Sequence, residues 1–247
     1  MKVYEAILEQ LFGAGVTHFA GMVGSTSAPY ASALASQNQA RYVGIRHEQV
    51  AAAILDATAR LSGKPGVLMV HGGSGLLAAS LGVASAALDS TPMVVLSATQ
   101  ERKAMENGWW QTLDVQKPVG DFVKFQTRVE RPDQAVAAVR DALRESVSGK
   151  PGVAQIDIPI DVSVEDLGEG DVPAPVKAIA PMLRPFPDPD AVAQVVDLLK
   201  NAERPVILIG GGANYSGAGV AILALAEMLL APVVNSPTSR GVLPETH

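Results

Sequence analysis

Short apolar runs rich in β-branched residues alternate along the chain with longer alanine-rich stretches whose polar residues recur at helical spacing. Such alternation is typical of βαβ units built around a buried parallel sheet. The pattern predicts strands within residues 17–23, 40–45, 66–72, 91–99, 124–129 and 152–160. It predicts helices over residues 2–14, 26–36, 47–62, 74–88 and 132–148. The predicted fold class is therefore α/β, with a parallel sheet that has helices on both faces.

A proline-rich stretch without hydrophobic periodicity interrupts this pattern and predicts an extended linker over residues 166–187. The first domain then occupies residues 1–165, and a second α/β region occupies residues 188–247. The second region predicts a helix, a strand, a helix and a strand, at residues 190–202, 204–213, 217–231 and 232–237. Two βα units form a small sheet with an uncovered face or edge. The pattern therefore favours the first half of a Rossmann-like domain within a longer protein.

The acidic balance and the lack of cysteine exclude several classes of protein. The 247 residues have a formal net charge of −6 and no basic cluster with interleaved aromatics, so we expect no nucleic-acid partner. Without cysteine there is no disulfide, thiolate nucleophile or zinc–thiolate site. The start "MKVYEAILEQLFGAG" predicts an amphipathic helix, not a signal peptide, and the apolar runs are broken before the ~20 residues that span a bilayer. We expect a cytoplasmic protein without a membrane partner.

The common catalytic and metal-binding motifs are absent from the sequence. The four histidines are scattered and form no pair at metal-ligand spacing, so no metal site is predicted. Neither a nucleophile elbow nor a Walker motif occurs. The segment "RPVILIGGGANYSGAG" has consecutive glycines, which do not fit the dinucleotide-binding fingerprint. A turn that contacts phosphate and a turn that only packs remain alternative interpretations of it.

A glycine-rich turn, His71 to Gly75, follows a buried strand and precedes a helix of small residues. The carboxyl end of a strand is where open α/β sheets bind ligands. The small side chains over residues 78–87 predict close packing against a neighbour, such as a second subunit, although a tight helix–sheet contact is the alternative. We interpret His71 as a hydrogen-bonded structural histidine, not as a catalyst.

Glu48 stands at the start of an alanine-rich helix, directly after a predicted strand, with Arg46 and His47 before it. Desolvation at this place raises the pKa of a carboxyl group, while the helix N-terminus and a neighbouring cation lower it. A carboxyl group balanced in this way is suited to sharing a proton with a ring nitrogen. A glutamate that only stabilises the helix start is the alternative.

Several segments in this order resemble thiamine-diphosphate-dependent enzymes of the acetolactate synthase and benzoylformate decarboxylase type. They are "AILEQLFGAGVTHFAGMVGS", "RHEQVAAAILDATARLSGKPGV", "ALDSTPMVVLSA", "WWQTLDVQKPVGDFVKFQTRV", "GVAQIDIPIDV", "RPVILIGGGA" and "SRGVLPETH". The resemblance implies that residues 1–165 are a complete pyrimidine-binding domain and that residues 188–247 are part of the middle domain.

The resemblance also implies roles for single residues. Glu48 matches the glutamate that hydrogen-bonds N1′ of the aminopyrimidine, favours its imino tautomer and so promotes formation of the thiazolium ylide. The other positions that match the cofactor-binding motifs are Gly24, Gly73, Ser74 and Ala78. Ser25 and Gln111 match positions on the substrate side.

At three positions the sequence departs from the acetolactate synthase motifs, so the acetolactate synthase activity does not follow from the resemblance. Ser74 replaces the proline and Ala78 the asparagine of the "GPGATN" turn, and Thr112 replaces the acid after the "FQE" glutamine. The family's "GDG" motif, which holds Mg²⁺ and the diphosphate, does not occur in these residues. We therefore expect the chain alone to be inactive, with Mg²⁺ bound by a domain absent from it. FAD is a further ligand that the resemblance allows.

The sequence thus predicts a thiamine-diphosphate-dependent carboligase or 2-oxo acid decarboxylase, as a part or a subunit of the enzyme. Its substrate would be a 2-oxo acid or an aldehyde, and its partner a second copy or a subunit with the diphosphate-binding domain. The alternative is a non-catalytic partner subunit of such an enzyme. A Rossmann-like nucleotide-binding protein is the third hypothesis, which the absence of GxGxxG weakens.

Overall fold

The computed structural model describes residues 1–168, 172–175 and 185–247. It divides into two compact units, Met1–Met182 and Leu183–His247. The predicted linker at 166–187 includes residues 169–171 and 176–184, which lie outside the described residues. Leu167 is buried in the core of the first unit and Val172 packs against that core. The predicted domain boundaries remain predictions.

The first unit is built on a six-stranded sheet in the order β2-β1-β3-β4-β6-β5, in which every neighbouring pair is parallel. The strands are β1 His18–Gly21, β2 Arg41–Gly44, β3 Gly66–His71, β4 Met93–Thr99, β5 Phe125–Arg128 and β6 Val153–Pro159. Strands β3 and β4 are at the centre of the sheet, and β4 and its neighbour β6 are buried along their whole length. Strand β4 is therefore mostly apolar, whereas β6 also buries Gln155 and Asp157.

The helices of the first unit connect these strands in chain order. They are α1 Val3–Gly13, α2 Ala28–Ala35, α3 Glu48–Ser62, α4 Ser74–Leu88, α5 Arg102–Glu106, α6 Gln116–Gly120, α7 Ala135–Val147 and α8 Ile160–Ser163, with a 3-10 turn at Pro132–Gln134. Helix α7 has a one-sided apolar face and buries Ala135, Val136, Ala138, Val139, Ala142 and Leu143. Helix α4 is apolar on both sides, with Leu77, Leu81 and Leu88 exposed. The short helices α5, α6 and α8 were not predicted, because five residues or fewer give no periodicity.

Two apolar cores cover the two faces of the sheet. One core includes side chains of α1, α2 and α7 with Phe19, Met69 and Leu96, and the other includes side chains of α3 and α4 with Leu68, Val70 and Val95. Alternate residues of one strand thus enter opposite cores, as the pleat of a strand requires. The predicted parallel sheet with helices on both faces is confirmed.

The second unit contains α9 Pro189–Lys200, β7 Ile207–Ile209, α10 Gly211–Tyr215, α11 Gly219–Leu229, β8 Val233–Asn235 and a 3-10 turn at Pro237–Ser239. Strands β7 and β8 form a parallel pair. The strand predicted over 204–213 is shorter, because the glycines after Ile209 begin a five-residue helix. The segment that we interpreted as a glycine turn after a strand therefore contains helix α10.

Candidate functional site

The candidate site lies at the carboxyl ends of β1 and β3. The chain leaves β1 toward β2 at one edge, whereas β3 lies on the other side of β1, so the strand order reverses between them. In open parallel sheets this reversal opens a crevice outside the carboxyl ends of the two strands. The segment after β1, the start of α3 after β2 and the turn after β3 all belong to this edge.

Glu48 is the first residue of α3. His47 precedes it with extended backbone, and its Nδ1 accepts a hydrogen bond of 3.3 Å from the backbone N–H of Gln49, so the imidazole caps the helix. The residue Glu48 is only 7% exposed. Among the described residues its carboxylate has neither a hydrogen bond nor an ion pair. A carboxylate on a side chain that is nearly buried and has no partner is available to a ligand, which marks this position as a candidate ligand contact.

Gly75, the second residue of α4, makes room for the Glu48 carboxylate. A Cβ atom at Gly75 would lie 3.2 Å from Oε1 of Glu48 and 3.5 Å from Cβ of His71. A side chain here would therefore press on the carboxylate. Gly73, just before α4, has φ +84°, a conformation that favours glycine, and it turns the chain from β3 into the helix.

His71, the last residue of β3, lies in the same place. Both of its ring nitrogens are buried, and neither has a hydrogen-bond partner among the described residues. The interpretation of His71 as a hydrogen-bonded structural histidine is therefore wrong. The sequence held one signal for this: a histidine at the carboxyl end of a buried strand, followed by glycines.

The segment after β1 closes the site on one side. A Cβ atom at Gly24 would lie 3.4 Å from Cβ and 3.5 Å from Cδ2 of His71, so the backbone of Gly24 runs along the imidazole. Thr26 fixes this segment, because its hydroxyl donates a 2.6 Å hydrogen bond to the carbonyl of Ala98 at the end of β4. Ser25 is exposed between them.

A second segment reaches the start of α4. Nε2 of Gln111 donates a 3.0 Å hydrogen bond to Oγ of Ser74. A Cβ atom at Gly73 would lie 2.8 Å from the carbonyl oxygen of Gln111, so the two backbones are in close contact. Oε1 of Gln111 is buried without a partner among the described residues.

The structure thus brings seven of the nine predicted or newly found positions together around Glu48 and the start of α4, and leaves two apart. Gly24, His71, Gly75 and Glu48 form one group, while Gly73, Ser74 and Gln111 form an adjoining group. Ala78 lies one turn further along α4 and is half-buried, and no contact joins it to either group. Ser25 is exposed and likewise unjoined.

No metal-binding cluster and no membrane-crossing helix were found in the part of the chain that the structure describes. Among these residues, no group of three histidine or acidic side chains could hold a metal ion. None of the described helices is long and apolar enough to cross a membrane.

Comparison with protein families gives two matches. Residues 1–118 match the model of the N-terminal TPP binding domain of thiamine pyrophosphate enzymes. Residues 192–247 match the model of the central domain of thiamine pyrophosphate enzymes.

Curated relatives from several organisms match the chain at about one-third identity. One is the "Probable acetolactate synthase large subunit" of Methanocaldococcus jannaschii, 32% identical over all of this chain and 42% of the relative. The 2-hydroxyacyl-CoA lyase of Arabidopsis thaliana is 31% identical over 98% of this chain and 43% of that protein. The oxalyl-CoA decarboxylase of Escherichia coli is 31% identical over 84% of this chain and 37% of that protein. The chain thus spans about two-fifths of the length of these relatives.

Two solved structures have the same fold over the whole chain. The benzoylformate decarboxylase of Polynucleobacter necessarius is 26% identical, with a TM-score of 0.89 over 45% of its chain. The thiamine diphosphate-dependent 4-hydroxybenzoylformate decarboxylase of Rhodococcus jostii RHA1 has a TM-score of 0.89 over 46% of its chain, at 22% identity. The second likeness concerns the fold alone.

Proposed function

This chain belongs to the thiamine pyrophosphate enzyme superfamily, and from that premise we propose that it holds the aminopyrimidine of thiamine diphosphate in a carboligase or 2-oxo acid decarboxylase. The observation that supports the proposal is Glu48, a residue only 7% exposed whose carboxylate has no partner among the described residues. Thiamine diphosphate is the same molecule as thiamine pyrophosphate.

The residues around Glu48 fit such a ring. An aminopyrimidine has ring nitrogens and an amino group, and hydrogen bonds to these would satisfy a buried carboxyl group. The ring nitrogens of His71 are a second set of buried polar atoms without a partner. Gly24 and Gly75 have no side chains, so they leave space beside His71, and Gly75 also leaves space beside the Glu48 carboxylate.

The chemistry is divided between cofactor and protein. When bound, thiamine diphosphate would supply a nucleophilic carbon that adds to a carbonyl carbon, and a ring that accepts the electron pair of the adjacent bond when that bond breaks. Glu48 holds a proton against a ring nitrogen of the pyrimidine and so sets the protonation of the amino group. The low exposure of Glu48 would strengthen this hydrogen bond.

His71 and Gln111 are the groups of this chain that we propose act on the substrate, a 2-oxo acid or an aldehyde. An imidazole can donate or accept a proton near neutral pH, and the ring of His71 is next to the Glu48 site. The amide of Gln111 is held at the start of α4 by Ser74 and can orient a carboxylate or carbonyl oxygen. Ser25, exposed on the segment after β1, completes this side.

A complete active site requires groups from outside these residues. No cluster for Mg²⁺ exists among the described residues, so we propose that another domain binds Mg²⁺ and the diphosphate, in a second copy or a partner subunit. Exposed leucines on the outer face of α4, Leu77, Leu81 and Leu88, support such a partner. Binding of FAD remains a prediction from the sequence.

The test is Glu48→Gln in an assembly of this chain with a polypeptide that supplies the diphosphate-binding domain. The proton at C2 of thiamine diphosphate exchanges with deuterium, and we expect Glu48→Gln to slow this exchange by about 100-fold or more, since an amide cannot move the proton. Glu9→Gln, on the exposed side of α1, is the control and should leave the rate unchanged. The chain alone, with Mg²⁺ and cofactor, should not turn over.

The second candidate is a non-catalytic partner subunit. It is favoured by Ala78, a half-buried methyl group at the position where the resembling enzymes have an asparagine on the pyrimidine side. If this candidate is correct, exchange at C2 in the assembly is the same with Glu48→Gln as with the unaltered chain.

A further inference from the structure

A charged cluster that extends from a buried carboxylate to the surface lies on the β5–β6 side of the sheet. Asp157 of β6 is fully buried, and its register partner on β5 is Arg128. One guanidinium nitrogen of Arg128, Nη2, lies 3.7 Å from Oδ2 of Asp157 and 3.0 Å from Oδ1 of Asp114. We call this three-residue arrangement, Asp157–Arg128–Asp114, the Arg128 bridge.

The outer end of the bridge fixes the start of α6. Oδ1 of Asp114 also accepts a hydrogen bond of 3.3 Å from the backbone N–H of Gln116. Gln126, two residues before Arg128 on the same face of β5, donates a 2.9 Å hydrogen bond to the carbonyl of Gln116. Strand β5 therefore contacts the start of α6 and Asp114 through two side chains on the same face, those of Gln126 and Arg128.

The loop of residues 107–114, which we call the Gln111 loop, ends at the bridge. Gln111 has φ +61°, which costs a residue with a side chain about 1 kcal/mol or more and persists only when the surroundings impose it. Within the loop the backbone N–H of Thr112 is bonded to the carbonyl of Trp109. The same loop touches Gly73 at the start of α4 through the carbonyl of Gln111.

Burial explains why this bridge needs a cation. Burial raises the pKa of Asp157, while the hydrogen bond from Gln155 and the charge of Arg128 oppose that rise. Arg128 is the cation paired with Asp157 among the described residues. The same nitrogen of Arg128, Nη2, faces both Asp157 and Asp114, so it links the two acids by its charge, while Nε of Arg128 and Oδ2 of Asp157 have no hydrogen-bond partner among the described residues.

We propose that Arg128 is a positioning residue: it anchors Asp114 to the buried Asp157 and thereby holds Gln111 beside Ser74 at the candidate site. The functional part of this inference rests on the proposed function, because it assumes that Gln111 faces the substrate. The structural part, that the bridge orders the Gln111 loop, stands independently of any reaction.

The first test measures the order of the loop in the 247-residue chain. Its two tryptophans, Trp109 and Trp110, both lie in the Gln111 loop, so tryptophan fluorescence anisotropy reports on this loop alone. We expect Arg128→Met to lower the anisotropy and to speed hydrogen exchange at the Thr112 amide about tenfold, as loss of a charge-assisted contact predicts. Arg128→Lys, which keeps the charge, should restore part of both signals.

Asp114→Asn keeps the test decisive if Arg128→Met does not fold, because Asp114 is half-exposed. It should have the same effect as Arg128→Met, and the two substitutions together should have no more effect than either alone. The matched control is Arg131→Met, which removes an ion pair to Asp133 of similar length, 3.1 Å, on the exposed surface. Equal effects of the control and of Asp114→Asn, or none of Asp114→Asn, would overturn the bridge.

The second test separates positioning from general stability in the active assembly. We expect Asp114→Asn to raise KM for the 2-oxo acid about fivefold and to leave C2 proton exchange unchanged, because no hydrogen bond or ion pair joins the Glu48 carboxylate to the loop among the described residues. An unchanged KM with a disordered loop would refute the role of Gln111. If the unaltered assembly shows no exchange, the proposed function fails, and the anisotropy and hydrogen exchange still decide the bridge.

Discussion

At the scale of the residue, the candidate site depends on one acid and the space left for it. Glu48 is held at the first position of α3 by the capping of His47, and the missing side chain of Gly75 admits its carboxylate. The cap fixes the backbone at the start of α3, and so the place from which the Glu48 side chain enters the site. The site therefore requires a glycine at position 75 as much as it requires the carboxylate of Glu48.

Gly75→Ala should therefore impair the site more than the fold. The added methyl group would stand 3.2 Å from Oε1 of Glu48 and displace the carboxylate, so we expect C2 proton exchange in the assembly to fall about tenfold. The free energy of unfolding should change by less than about 1 kcal/mol, because alanine favours a helix more than glycine does. Ser85→Ala, on the exposed face of α4, is the control; equal exchange in both variants would contradict the expectation.

At the scale of the element, small residues let α3 and α4 approach closely on one face of the sheet. A Cβ atom at Gly82 of α4 would lie 2.6 Å from Cβ of Ala52 and 3.1 Å from the carbonyl oxygen of Gln49. Both neighbours belong to α3, and neither can turn away, because one is a methyl group and the other is backbone. The small-residue helix predicted from the sequence thus has a partner within the chain, and its outer face stays free for another.

We expect Gly82→Ala to destabilise the first unit by about 2 kcal/mol, since the added methyl group must push two helices apart. Urea unfolding followed by circular dichroism measures this. Gly44→Ala is the matched control: its Cβ would meet a single neighbour, the ring of Tyr42 at 3.7 Å, so unfolding should be nearly unchanged. An unfolding curve of Gly82→Ala that overlays the original would show that α3 and α4 can separate freely.

At the scale of the whole molecule, the two units differ in how much apolar surface they bury. The first unit has two cores, which cover both faces of its sheet. In the second unit the described buried apolar residues are few: Ile209, Ala226, Ala231 and Leu243. Burial of apolar area is the main stabilising term of a fold, so the two units should differ in stability.

Hydrogen exchange of the whole chain should therefore show two levels of protection. We expect amides of β7, α11 and β8 to exchange at lower urea concentration than those of β3, β4 and β6, because sub-global opening follows local burial. Mass spectrometry of peptides from the exchanged chain distinguishes the two sets. If all these peptides lost protection together, the units would unfold as one, and the difference in buried surface would not matter.

Local pattern was enough to predict most of the fold. Strands β3, β4 and β6 lie within their predicted ranges, and helices α3 and α4 end at their predicted last residues, because the signals for these elements lie within a few neighbouring residues. Glu48 could be singled out for the same reason: a lone acid before alanines at a helix start is visible in the sequence. The resemblance to thiamine-diphosphate enzymes, which rests on motif order, supplied the role that local pattern could not.

Only the tertiary structure decided which polar atoms lack partners and which distant residues meet. The ring nitrogens of His71 are unpaired because the described residues packed around the carboxyl end of β3 offer them no hydrogen-bond partner. Gln111 reaches Ser74 across 37 residues, and Arg128 joins Asp114 to Asp157 across neighbouring strands. Burial and hydrogen-bond satisfaction are properties of the packed sheet edge, where strands distant in the chain end side by side. The sequence by itself determined the elements and their candidate acid; packing determined the site.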